Sequence, residues 1–129
     1  MTTHPPSPLL GELEVQVLES LWQCREASVK VVFEHVGLVR GVSRNTIQST
    51  LDRLYRKALL SRSKQGREFI YKPAISRETL MANLINDVFG RFNSDSQSSV
   101  AAILHATETL DEPSLDALEL EIKRRKAKG

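Results

Sequence analysis

The sequence predicts a mostly α-helical protein with one small β-hairpin and a further helical region behind it. Three observations predict this. Apolar residues recur with helical period from Leu10 to Ala58, a strand-like period replaces it around residues 60–72, and the helical period returns from Leu80 onward. With 129 residues, of which 40% are hydrophobic and 26% charged, the chain suits one compact domain or a small domain with an appendage. A chain of this size holds a core without staples.

Residues 1–8 carry three prolines and no periodic signal, and are expected to form a flexible arm. A first helix follows from Leu10, with Leu10, Leu13, Val17, Leu18 and Leu21 on one stripe that Val15 and Trp22 widen. Glu12 and Glu14 lie in its first turn, where carboxylates favour the helix dipole. Ser28 is a good N-cap for a second helix, whose Val29, Val32, Phe33 and Val36 share a face and which Gly37 should close. Ser43 caps a third, with Ile47, Leu51, Leu54 and Ala58 toward the core. The period then shortens: Leu60–Lys64 reads as a strand, Gln65-Gly66-Arg67 as a turn, and Glu68–Lys72 as a second strand ended by Pro73. Three short helices followed by a basic-tipped hairpin is the order of a winged helix-turn-helix, expected over residues 9–75. Residues 76–129 are helical again: a stripe of Leu80, Leu84, Ile85, Val88, Phe89 and Phe92, a break at Asn93–Ser96, a segment with Val100, Ile103 and Leu104, and a last helix opened by Pro113 that carries Leu115, Leu118 and Ile122.

Charge is unevenly spread. The net charge is only +2, yet residues 40–72 hold nine basic residues against Asp52 and Glu68, a local sum of +7. Such a block suits a polyanion, although a solvated helix face would look the same by charge alone. The third helix decides in favour of the polyanion. Ser43 and the N–H groups of its first turn offer an anion site. At 100° per residue, Ile47, Leu51 and Leu54 cluster inward, leaving Arg44, Asn45, Thr46, Gln48 and Ser49 outward near its N-terminal end. Most of these are short hydrogen-bonding groups that suit base edges in a major groove, where an ordinary solvated face would favour Glu and Lys. Arg53, Arg56 and Lys57 follow, placed for phosphates. At the hairpin tip, Gly66 permits a tight turn while Lys64 and Arg67 can reach a backbone, the rival reading being an edge hairpin guarded by charge. A winged-helix protein-interaction module that does not read DNA is the alternative, and the +7 block counts against it unless its partner is acidic.

Other chemistries find little support. His4, His35 and His105 are scattered, and the single cysteine, Cys24, completes no metal-ligand pattern, so no metal or cofactor is expected. His35 reads as a partly buried structural histidine and Cys24 as an inert small residue, a redox role requiring a neighbour such as Arg25. No phosphate loop, catalytic triad or paired carboxylates stand out, so an enzyme is not expected. The longest aliphatic run, Val100–Leu104, is far short of the ~20 residues of a membrane span, and MTTHPPSPLL lacks the regions of a secretory signal. A cytoplasmic protein without membrane insertion is expected.

The segments GELEVQVLESLW, SRNTIQSTLDRLYRKALL and KQGREFIYKP together resemble the penicillinase/methicillin-resistance repressor family (BlaI/MecI/CopY type), closely from Gly11 to Pro73 and by helix placement to about residue 125. The resemblance implies a homodimeric winged-helix repressor of transcription bound to a palindromic operator. It implies DNA contacts from Ser43, Asn45, Thr46 and Ser49, a phosphate contact from Arg53, and wing residues Lys64 to Arg67 near the backbone. It also implies dimerisation through residues 76–129, where Leu80, Leu84, Val88, Phe92, Leu104 and Leu118 would form the seam. Two departures concern induction. The family's antibiotic-resistance members are cut at an Asn-Phe bond by a membrane sensor-protease system, and Ile103-Leu104 stands there. The Cys-x-Cys pairs of copper-responsive members are absent. A third departure is Ala58, where the family usually has glycine.

Overall fold

The computed structural model describes residues 10–92 and 95–129, so the expected arm and the Asn93-Ser94 part of the expected break lie outside the described residues. The chain divides into two compact units, Met1–Asp87 and Val88–Gly129.

The first unit is built in the order α1 (Glu12–Cys24), β1 (Ala27–Ser28), α2 (Val29–Val32), a π-helical turn (Phe33–Gly37), α3 (Leu38–Arg40), α4 (Arg44–Arg56), β2 (Leu60–Gln65) and β3 (Glu68–Pro73), followed by the start of α5 (Arg77–Arg91). Its core takes Val17, Leu18 and Leu21 from α1, Val32 and Val36 from the second helical segment, Ile47, Leu51 and Leu54 from α4, and Leu60 and Tyr71 from the hairpin. Full burial of each such aliphatic side chain stabilises by about 1.5–3 kcal/mol, so the α4 anchors fix that helix firmly. Trp22 Nε1 donates to the Ile75 carbonyl at 2.9 Å, tying the chain that leaves the hairpin back to α1.

The second helical segment does not stop at Gly37, as the sequence suggested. Gly37 has helical φ −62 and lies inside the run. A Cβ there would sit 2.5 Å from Phe33 Cδ1 and 3.2 Å from Ile47 Cγ1, so this glycine serves close approach to α4. The stop is Gly41, at φ +71, a left-handed conformation that glycine adopts without a Cβ penalty.

Ser43 caps α4 as expected: its Oγ accepts from Thr46 N at 3.1 Å. Ala58, expected on the core face, instead lies beyond the helix, exposed and at φ +64. It makes the left-handed turn into the wing that a glycine would make more cheaply.

The wing is a hairpin with Gln65 opposite Glu68 and a two-residue turn. Gly66 (φ +66) supplies the turn's one positive φ, the pattern of a type II′ connection. A third strand escaped the sequence reading. Ala27 and Ser28 pair with Tyr71 and Ile70, giving a three-stranded antiparallel sheet ordered β1-β3-β2. Two residues are too few to carry a period-two signal, so only the tertiary pairing defines β1.

In the second unit, α6 (Ser96–Ala106) is capped by Asp95 and α7 (Glu112–Lys128) by Asp111, each carboxylate accepting from the amide three residues on. A 3-10 turn, Thr107–Thr109, separates them. None of the described residues from Val88 onward is buried.

Candidate nucleic-acid interface

The amphipathic division of α4 is sharp. Ile47, Leu51 and Leu54 are inaccessible and Thr50 with them, while Ser43, Arg44, Asn45, Thr46, Gln48, Ser49, Arg53 and Arg56 are all exposed. Buried Thr50 donates to the Thr46 carbonyl at 2.8 Å and accepts from Arg53 Nη2 at 3.3 Å, which aims the Arg53 guanidinium. The Ser43 and Thr46 hydroxyls are 3.0 Å apart and join in the cap, so the first turn is ordered before any ligand arrives. At the wing tip Lys64, Gly66 and Arg67 are exposed.

Between α4 and the wing lies an open cleft lined by Asn45, Gln48, Ser49, Asp52, Arg62, Phe69 and Tyr71. Arg62 holds its two walls together. Its guanidinium lies 4.0 Å from the Tyr55 ring centroid and 4.2 Å from that of Phe69, and Nη1 meets Asp52 Oδ1 at 3.3 Å. Cation–π contacts to a ring of the helix and a ring of the wing, plus an ion pair, tie the two elements together. Asp52 also pairs with Arg56. The sequence reading missed Arg62: it placed Gln65 in the turn, whereas the structure pairs Gln65 with Glu68, and that register puts Arg62 opposite Tyr71.

Lys57, expected among the phosphate contacts, is otherwise engaged. Its Nζ donates to Glu14 Oε2 at 2.8 Å, in a partly buried bridge between α4 and α1. His35, expected to be partly buried, is exposed, with Nδ1 3.5 Å from Cys24 Sγ. Among the described residues no group of three or more His, Cys, Asp or Glu could hold a metal ion. No helix among them is long and apolar enough to cross a membrane.

The residues expected to form a dimer seam fall into two sets. Leu80 is buried and Leu84 half-buried in the core of their own chain's first unit. Val88, Phe92, Leu104 and Leu118 are exposed, Phe92 to 78%. Ile103-Leu104 lies within α6.

A three-helix core presenting a polar-faced helix beside a basic-tipped wing defines a winged helix-turn-helix protein, of the class of DNA-binding transcriptional repressors rather than enzymes. The sequence profile of the family described as penicillinase repressor matches residues 10–124. Transcriptional regulator BlaI of Mycobacterium tuberculosis is 33% identical over 110 residues, covering 84% of this chain and 79% of that protein. The penicillinase repressor of Bacillus licheniformis is 26% identical over 93 residues, covering 72% and 73%. The solution structure of the DNA binding domain of the repressor BlaI aligns with TM-score 0.50 and 30% identity, over 54% of this chain and 85% of that one. The chain belongs to the penicillinase repressor family.

Proposed function

We propose that this repressor acts as a homodimer on a palindromic operator, each protomer laying α4 in one major groove and its wing along the adjoining backbone. The observation that carries this reading is the division of α4, three inaccessible anchors behind an exposed Ser43–Ser49 face of hydrogen-bonding groups. Asn45, Gln48 and Ser49 are the base readers, joined by Arg44 and Thr46 at the helix start; Arg53, Arg56, Lys64 and Arg67 hold phosphates. Pairing of two copies is supported by the second unit. Its described residues form no core of their own, yet they expose Val88, Phe92, Val100, Leu104, Leu118 and Leu120. Helices of this kind need a partner surface, and a second copy supplies a matching one. Occupation of a promoter in the cytoplasm then blocks transcription. Release by a sensor protease at Ile103-Leu104 would first require α6 to unwind there.

The test is selection of duplexes from a random library by the full chain, followed by gel shift. The expected product is an inverted repeat bound by two protomers. Neutralising ~6–10 phosphates per dimer, binding should weaken ~10³–10⁵-fold between about 50 and about 200 mM salt. Enrichment of no duplex, together with a stable protein complex in a pull-down, would favour the interaction-module reading instead.

A further inference from the structure

Asp52 is the single carboxylate between Glu34 and Glu68, and it stands on the face of α4 that carries the base readers. Asn45, Ser49 and Asp52 follow one another at helical spacing, which places them on one stripe opposite the buried Ile47 and Leu51. With Gln48 they line the open cleft toward the wing. A carboxylate turned toward a polyanion is repelled unless cations neutralise it and a donor meets it. The cations are at hand. Oδ1 accepts from Arg62 Nη1 at 3.3 Å and Oδ2 accepts from Arg56 Nη2. Arg62 is itself in contact with the rings of Tyr55 and Phe69, so the carboxylate is held from two sides. Its side chain is still 33% exposed. A carboxylate has about four acceptor sites, so these two contacts leave it room for a further donor.

We propose that Asp52 is a further base reader, which selects a cytosine in each operator half-site through the N4 amino group. The inference deepens the function proposed above and rests on its placement of α4 in the major groove. A carboxylate only accepts hydrogen bonds. In that groove guanine presents N7 and O6 and thymine presents O4, all acceptors, so either base turns like partial charges toward Asp52. Donors are found on cytosine N4 and adenine N6 alone. Adenine sets its N7 acceptor beside the amino group, against the second carboxylate oxygen, whereas cytosine has no acceptor on that edge, and cytosine is therefore preferred. Arg56 and Arg62 keep the carboxylate neutralised among the phosphates, so it reads the base without driving the backbone away. Asp52 lies about 10.5 Å along the helix from Asn45, so the cytosine falls about two to three base pairs from the pair that Asn45 reads.

The test is gel shift of the full chain on the selected duplex, on its single-base variants and on a shuffled duplex of equal length. The wild type should prefer cytosine at one position of the half-site about tenfold, within the range of one specific base contact. Asp52→Ala should erase that preference and leave the others in place. Asp52→Asn should move it toward adenine, which an amide meets at both N6 and N7. A cycle combining Asp52→Ala with replacement of that C·G pair by T·A should show about tenfold coupling, and the same cycle at other positions none. Asp52→Ala should bind the shuffled duplex at least as tightly as the wild type, because a negative charge has been removed. If the carboxylate serves only to hold Arg56 and Arg62, Asp52→Ala weakens every duplex alike and alters no preference, and that result overturns the proposal. Coupling to a pair that contains no cytosine overturns it as well. A wild type that binds selected and shuffled duplexes alike removes base reading altogether, and with it the function proposed above; sequence preference that survives intact in Asp52→Ala strikes this inference alone.

Discussion

Lys57→Ala is expected to destabilise the fold without altering the electrostatics of DNA binding. Glu14 closes two contacts at once: Oε1 accepts from the Gly11 amide at 3.0 Å, and Oε2 accepts from Lys57 Nζ at 2.8 Å. Removing the ammonium leaves a carboxylate that is largely out of water with only the amide to satisfy it. Breaking a fully buried pair costs about 3–5 kcal/mol and an exposed one less than about 1, and the partial burial here places the loss at about 1.5–3 kcal/mol. With m near 2 kcal/mol/M, the urea midpoint should fall by about 1 M at fixed protomer concentration. The loss should depend on pH. Burial pushes the Glu14 carboxyl up, but the Lys57 hydrogen bond, the Gly11 amide and the charges of Lys57 and Arg53 outweigh it, so its pKa lies below the ordinary glutamate value. A folded pKa below the unfolded one means stability fully present above the unfolded pKa and lost as pH falls through the folded one. The gap between wild type and Lys57→Ala should therefore close as pH falls through the lowered folded pKa of Glu14, below the ordinary glutamate range. A double-mutant cycle with Glu14→Gln should recover most of the coupling. An equal loss at neutral and acid pH, or a reduced salt slope of DNA binding, would refute the assignment of Lys57 to the fold.

Ala58→Gly should stabilise the chain by up to about 1 kcal/mol in the same urea assay, since relief of the left-handed strain (about 1–2 kcal/mol) exceeds the added unfolded-state entropy (about 0.4–1 kcal/mol). On the selected duplex and its single-base variants, Arg53→Ala should weaken all sequences alike and reduce the salt slope by about 1, whereas Asn45→Ala should erase about 1–3 kcal/mol of preference at one position. Equal effects on every variant would remove Asn45 from the base readers. If the proposed dimer uses this seam, Phe92→Asp combined with Leu118→Asp should yield a monomer by sedimentation, each charge opposing association by about 2 kcal/mol or more at a central site. A dimer that persists would move the seam elsewhere.

Much of the candidate interface was legible because α4 is a strongly amphipathic helix with a serine cap. Its inward residues follow from 3.6-residue periodicity, and the outward ones are what remains. The hairpin was legible from the change of period and the glycine at its tip, although the sequence took Gln65 into the turn where the structure pairs it with Glu68. Periodicity cannot choose between two glycines as a helix stop: Gly37 and Gly41 look alike in sequence, and only the approach of Phe33 and Ile47 shows that the first is packed and the second is the cap. Periodicity likewise carried Ala58 one turn too far, since the intrahelical bonds end where Lys57 and Ala58 turn out.

By itself, then, the sequence determined the helices, the wing and the polar reading face, because each is set by local pattern and by residues near one another in the chain. The tertiary structure decided which charges are available. Lys57 is spent on Glu14 43 residues away, Arg62 is clamped between helix and wing, and Cys24 meets His35 across a cleft. A formal charge or a thiol is visible in any sequence. Whether it faces water, a ring or a counter-charge depends on contacts that form only when distant segments pack.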